Sequence, residues 1–154
     1  MKMGIVVYSQ TGNTYQVAQK LQEALLDEGH SVNIERINVA DEKQREINKI
    51  QILSIPDLST YDALIFGAPV HAFSLSHPMA TFMPQIPTLE DKKITCFVTK
   101  GLPLNVTGGN QAIGVMKKIC ESKGGDVCGS GIIVWKKDHE KQISKLTEEM
   151  CRLF

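Results

Sequence analysis

Met3 to Tyr8 is an apolar run, with Gly4-Ile5-Val6-Val7 at its centre, of the kind a parallel sheet buries on both faces. The period then changes. From about Asn13 to Glu28, Val17, Ala18, Leu21, Ala24 and Leu25 fall on one helical face, and Gly29 stands where a C-cap is wanted. Val32 and Ile34 alternate with polar residues, which predicts an edge strand with one wet side. Residues 40–60 are weakly patterned: Ile47 and Ile50 allow a short helix, and Pro56 interrupts it. Ala63 to Phe66 is apolar throughout and predicts a third strand. Met79, Phe82, Met83 and Ile86 recur at helical spacing after Pro78. A fourth strand is expected at Ile94–Val98 and a fifth at about Val127–Trp135. Between them a helix carries Ala112, Ile113, Met116, Ile119 and Cys120 and stops at Gly124-Gly125. Ile143, Leu146, Met150 and Leu153 mark a final helix. The chain shows no internal repeat, linker or low-complexity tract, so residues 1–154 read as one domain.

Strands alternating with helices predict an α/β fold, a doubly wound parallel sheet with right-handed crossovers. Ligands of such sheets bind outside the carboxyl ends of the strands, at the point where the strand order reverses. Segments 9–14, 68–77 and 99–109 each follow a strand and are rich in Gly, Pro, Ser, Thr or Asn. Ser9-Gln10-Thr11-Gly12-Asn13-Thr14 carries the plainest chemistry. Its hydroxyls, the unpaired first amides of the helix and the positive end of the helix dipole suit a phosphate. Gly12 lets the backbone come close to a ligand. The cradle has no lysine, so it suits a phosphate that is held but does not react. Ser, Thr and Asn are also ordinary N-cap residues, and three hydroxyls in six positions exceed what one cap needs.

On Ser9-x-Thr11-Gly12-Asn13-Thr14, and on Tyr61-Asp62-Ala63-Leu64-Ile65-Phe66-Gly67-Ala68-Pro69-Val70, the chain resembles the flavodoxin family over essentially its whole length. That resemblance implies a three-layer sandwich around a five-stranded parallel sheet of order 2-1-3-4-5, with FMN as cofactor. The first motif would then hold the FMN phosphate. Pro69, Val70, His71, Ala72 and Phe73 would form a loop against the flavin, with His71 or Phe73 stacked on the ring. Thr99, Lys100, Gly101, Leu102 and Gly108 would flank its other side. The chain departs from many flavodoxins in two places. Positions 70–74 lack the glycine whose peptide turns toward reduced flavin, which argues against strong stabilisation of the one-electron state. Residues 99–110 lack a stacking tyrosine, so Leu102, Leu104 or Val106 would supply an apolar cover. Lys100, near the pyrimidine edge, would favour the anionic reduced flavin. Gly108-Gly109 would allow close backbone approach or simply turn the chain into the next helix.

Composition removes other classes. With 42% hydrophobic and 22% charged residues the chain is ordinary for a globular protein. Seventeen basic and seventeen acidic residues argue against nucleic-acid binding through a basic surface. They also depart from the strong acidity usual among electron-carrying flavodoxins. The lysine pairs Lys92-Lys93, Lys117-Lys118 and Lys136-Lys137 read as solvated surface. No apolar run is long enough to cross a membrane, and the first strand begins too early for a signal peptide. Cys96, Cys120, Cys128 and Cys151 have no C-x-x-C spacing and read as buried reduced thiols, which points to a cytoplasmic protein. No Walker motif, dinucleotide fingerprint, zinc motif or C-x₅-R loop is present. The resemblance therefore implies a carrier of electrons between a reductase and an acceptor protein. Two alternatives stand beside it: an NAD(P)H-dependent FMN reductase of quinones or other small oxidants, and a flavin-free interaction module of the same fold.

Overall fold

The apolar runs and helical periods fold, in the computed structural model, into an α/β sandwich; residues 1–101 and 108–154 are described. The strands are β1 (Lys2–Val7), β2 (Ser31–Arg36), β3 (Ala63–His71), β4 (Ser74–Leu75), β5 (Lys93–Lys100) and β6 (Asp126–Val134). The helices are α1 (Asn13–Asp27), α2 (His77–Phe82), α3 (Gly109–Ser122) and α4 (His139–Leu153). The long strands pair in parallel in the order β2-β1-β3-β5-β6, and β4 pairs antiparallel with β3. Apart from that added strand, this is the expected order, with β2 on the edge.

Two apolar layers hold the sheet. On one face Ile5, Val7, Ile65 and Phe97 pack against Val17, Leu21, Leu25, Ile143, Leu146 and Met150 of α1 and α4. On the other, Val6, Phe66, Cys96 and Val98 pack against Met79, Phe82, Ala112, Met116 and Cys120 of α2 and α3. Strand alternation divides the residues between the two layers, which is why the central strands read as continuously apolar.

Several expectations are corrected. The third strand does not stop at Phe66 but runs to His71, so Pro69, Val70 and His71 lie in a strand and not in a loop. The helix after Pro78 ends at Phe82 and continues as a 3₁₀ turn at Met83–Gln85, because Pro84 lacks the N–H an α-helix would need there. Lys92 is not solvated: only 8% exposed, its ammonium donates to the carbonyls of Ser59 (3.1 Å) and Tyr61. The short helix expected near Ile47 is one 3₁₀ turn, Ile47–Lys49. All four cysteines are free; Cys96 and Cys120 are buried, while Cys128 and Cys151 are half-buried. Hydrogen bonding with Cys120, then burial, pushes the Cys96 thiol well above its usual range.

Candidate functional site

The carboxyl ends of β1, β3 and β5 bring residues 9–14, 68–77 and 99–101, with 108 and 109, to one edge of the sheet. After β1 the chain leaves through buried Ser9 and exposed Gln10 and Thr11, and enters α1 at Gly12. Gly12 takes φ +97°, a left-handed value, and open space lies where a Cβ would stand. The Ser9 hydroxyl oxygen accepts the N–H of Gly12 (3.2 Å) and the N–H of Tyr15 (3.1 Å), which closes the loop on itself. Ser9 therefore organises the cradle with its oxygen and keeps its own proton for a ligand. Gln16 N–H bonds the Gly12 carbonyl. The N–H groups of Asn13 and Thr14 find no acceptor among the described residues. Two amides at the positive end of a 15-residue helix, beside an open glycine, fit a phosphate.

Thr14 is buried, and its hydroxyl lies 2.8 Å from that of buried Thr99. One of the two protons is spent between them, so the pair ties the first turn of α1 to the end of β5. Sequence reasoning placed both threonines at the site without seeing that they bond each other across 85 residues.

The second segment is a hairpin. Val70 pairs with Leu75 and His71 with Ser74, leaving Ala72 and Phe73 as a two-residue turn. Both take positive φ (48° and 66°), a conformation in which non-glycine residues are strained. The turn follows the pattern favoured between twisted antiparallel strands, usually filled by Asn-Gly. Phe73 is 59% exposed, while His71 is half-buried and meets the Tyr8 ring edge-on with centroids 6.4 Å apart. Tyr8 in turn donates its hydroxyl to the Glu42 carboxylate. Burial, then that bond and the Glu42 charge, push the Tyr8 phenol well above its usual range. Burial first, then the charges of Arg45 and His77, hold the His71 imidazole below its usual value, against the pull of Glu42. His77 Nδ1 lies 3.0 Å from the Arg45 carbonyl oxygen, so segment 42–45 is fastened along this wall. Weak patterning in 40–60 hid that contribution.

From the third segment, Gly101 is exposed and Lys100 is only 6% exposed, against the alternative of a lysine turned to water. Carbons of its stem lie 3.4 Å from where a Gly109 Cβ would stand. Leu102, with Leu104 and Val106, lies outside the described residues. Gly108 takes φ +97°, and a Cβ there would sit 2.2 Å from the Phe73 carbonyl oxygen. Gly108 turns the chain into α3 and lets the backbone close on the hairpin.

Arg36, at the end of β2, was not singled out in the sequence. Its Nη2 donates to the Ser9 carbonyl (3.1 Å), and its guanidinium carbon lies 4.7 Å from the Tyr15 ring centroid. A basic residue closing the strand beside β1 was the available signal. Among the described residues no cluster suits a metal ion, and no helix is long and apolar enough to cross a membrane.

A doubly wound sheet with a phosphate-fitting loop after its first strand, at the point where the strand order reverses, defines a flavodoxin-like protein. Residues 5–136 match the family described as Flavodoxin domain, and the chain belongs to that family. Its cofactor is accordingly FMN. Among solved structures it is similar to oxidised flavodoxin 2 from Bacillus cereus, with 16% identity, 100% of both chains covered and a TM-score of 0.74. A flavodoxin of Streptococcus pneumonia TIGR4 gives 16%, 100% of both chains and 0.71. Two-electron reduced flavodoxin from Megasphaera elsdenii gives 21%, 97% of this chain and 98% of that one, and 0.65. No curated protein matches the chain.

Proposed function

We propose that residues 1–154 work as one flavodoxin-like domain that carries electrons between a reductase and an acceptor protein in the cytoplasm, through FMN bound in this crevice. The observation that supports it most is the meeting of the lysine-free cradle, the strained aromatic turn and Gly108 at one edge of the sheet. When bound, FMN supplies the redox chemistry at its ring. Ser9, Gln10, Thr11, Gly12, Asn13 and Thr14 hold the phosphate through amides and hydroxyl protons. Thr99 keeps Thr14 in place. Pro69, Val70 and Ala72 set the hairpin wall, and exposed Phe73, not His71, covers the ring; the His71 side chain is spent on Tyr8. Gly101 and Gly108 shape the opposite wall. Lys100 places a cation near the pyrimidine edge, so the second reduction potential is less negative than in an acidic flavodoxin and falls in Lys100→Ala. A potentiometric titration with no shift in that variant would remove Lys100 from the account.

The visible spectrum of the purified protein, before and after adding FMN and then during stepwise reduction, tests the reading. Bound flavin passing through a one-electron spectrum supports the carrier. Direct two-electron bleaching, with NAD(P)H oxidation by a quinone, supports a reductase. A protein that ignores FMN is an interaction module.

A further inference from the structure

On the reading that residues 9–14 hold the FMN phosphate, we propose that Arg36 is that phosphate's counter-charge and makes the site selective for phosphorylated over unphosphorylated flavin. The cradle itself contains no cation. Its helix end offers roughly half an elementary charge, while a phosphate monoester carries nearly two negative charges at neutral pH. A full positive charge close to the loop therefore changes the balance more than any further amide.

Arg36 supplies that charge from the neighbouring strand. It lies opposite Val7 in the β1–β2 register, two residues before Ser9. Its guanidinium touches both ends of the loop, donating to the Ser9 carbonyl and lying over the Tyr15 ring. Those two residues are the ones joined by the bond from Tyr15 N–H to the Ser9 hydroxyl. The guanidinium is thus held beside the cradle by a hydrogen bond and a cation–π contact. One of its five donors goes to Ser9, and the planar fork leaves the others for an anion. Among the described residues the ion pairs are Lys20–Glu23, Lys49–Glu46 and Arg152–Glu148, so no carboxylate pairs directly with Arg36. An arginine fixed at an anion cradle without a carboxylate partner has a reason to be there if the anion is its partner.

Flavin fluorescence quenching by the flavin-free full chain tests this, with FMN and riboflavin as paired probes at low and high salt. Arg36→Gln should weaken FMN roughly tenfold and leave riboflavin unchanged, and it should flatten the salt dependence of FMN affinity. Arg36→Lys should restore part of the loss. Thermal melts of each variant separate these effects from misfolding. Equal weakening of both flavins would make Arg36 a clamp of the loop and overturn the proposal, as would an unchanged FMN affinity. Wild-type protein that binds riboflavin as tightly as FMN would overturn the phosphate reading itself. Wild-type protein that binds neither would overturn the flavin site, and the Arg36 proposal with it.

Discussion

His71 pairs with the hairpin through its backbone and with Tyr8 through its ring. Its folded pKa is depressed from an ordinary value of 6.5 by burial and then by the Arg45 and His77 charges, while Glu42 opposes the shift. Above the unfolded value both states are neutral there and His71 adds no pH dependence. As the pH falls through that value toward the folded one, the unfolded chain takes up the proton first and stability is lost. Urea denaturation at about pH 7.5 and about pH 5.5 should therefore show a larger loss in the wild type than in His71→Gln. Identical losses would place the titration elsewhere.

At the scale of the element, the β3–β4 hairpin stores strain where the cofactor is expected. Ala72 and Phe73 both occupy the left-handed region, which glycine fills without steric cost. Ala72→Gly should stabilise the protein by about 0.5–1 kcal/mol in denaturant unfolding. Phe73→Gly should relieve similar strain, since the ring is mostly exposed, yet weaken FMN binding. Opposite signs for stability and affinity at one residue are the signature of strain kept for function. A Phe73→Gly protein that binds FMN normally would return the ring to mere surface. Gly108→Ala joins a left-handed backbone to a contact with the Phe73 carbonyl, so both loops must separate. It should cost about 1–3 kcal/mol in denaturant midpoint and lower FMN affinity as well.

In the whole molecule, the crevice lies at the carboxyl ends of the strands and a second set of contacts closes the amino ends. Lys92, just before β5, ties the chain entering β3 by donating to Ser59 and Tyr61. A cavity of about 300 Å³ lined by residues 55–59 and 85–88 lies at this end, away from the crevice. Lys92→Met keeps the apolar stem and removes the ammonium, leaving two carbonyls short of a donor. The expected cost is about 1–3 kcal/mol in denaturant unfolding, with FMN affinity unchanged because the sheet separates the two ends. A parallel fall in affinity would show that the ends are coupled.

The positions of the long strands and the two flanking helices α1 and α4 were legible because period and run length report directly on burial. The cradle was legible because Ser9 through Thr14 lie together in the chain, and a helix end leaves its amides open whatever the rest of the fold does. The hairpin was not. Ala-Phe is a poor turn sequence, and the pairing of Val70 with Leu75 and of His71 with Ser74, together with the support of Gly108, holds it in that shape. Lys92 looked solvated for a similar reason, since carbonyls thirty residues away accept its protons. Arg36, Thr99 and the Tyr8–Glu42 contact likewise acquire meaning only from partners distant in the chain. Local pattern determined the class of protein, the sheet and the polar loop after β1, because each depends on near neighbours. The tertiary structure decided which aromatic of the hairpin is exposed, which lysine is buried and which arginine stands by the loop after β1, because those depend on where the crossovers return the chain.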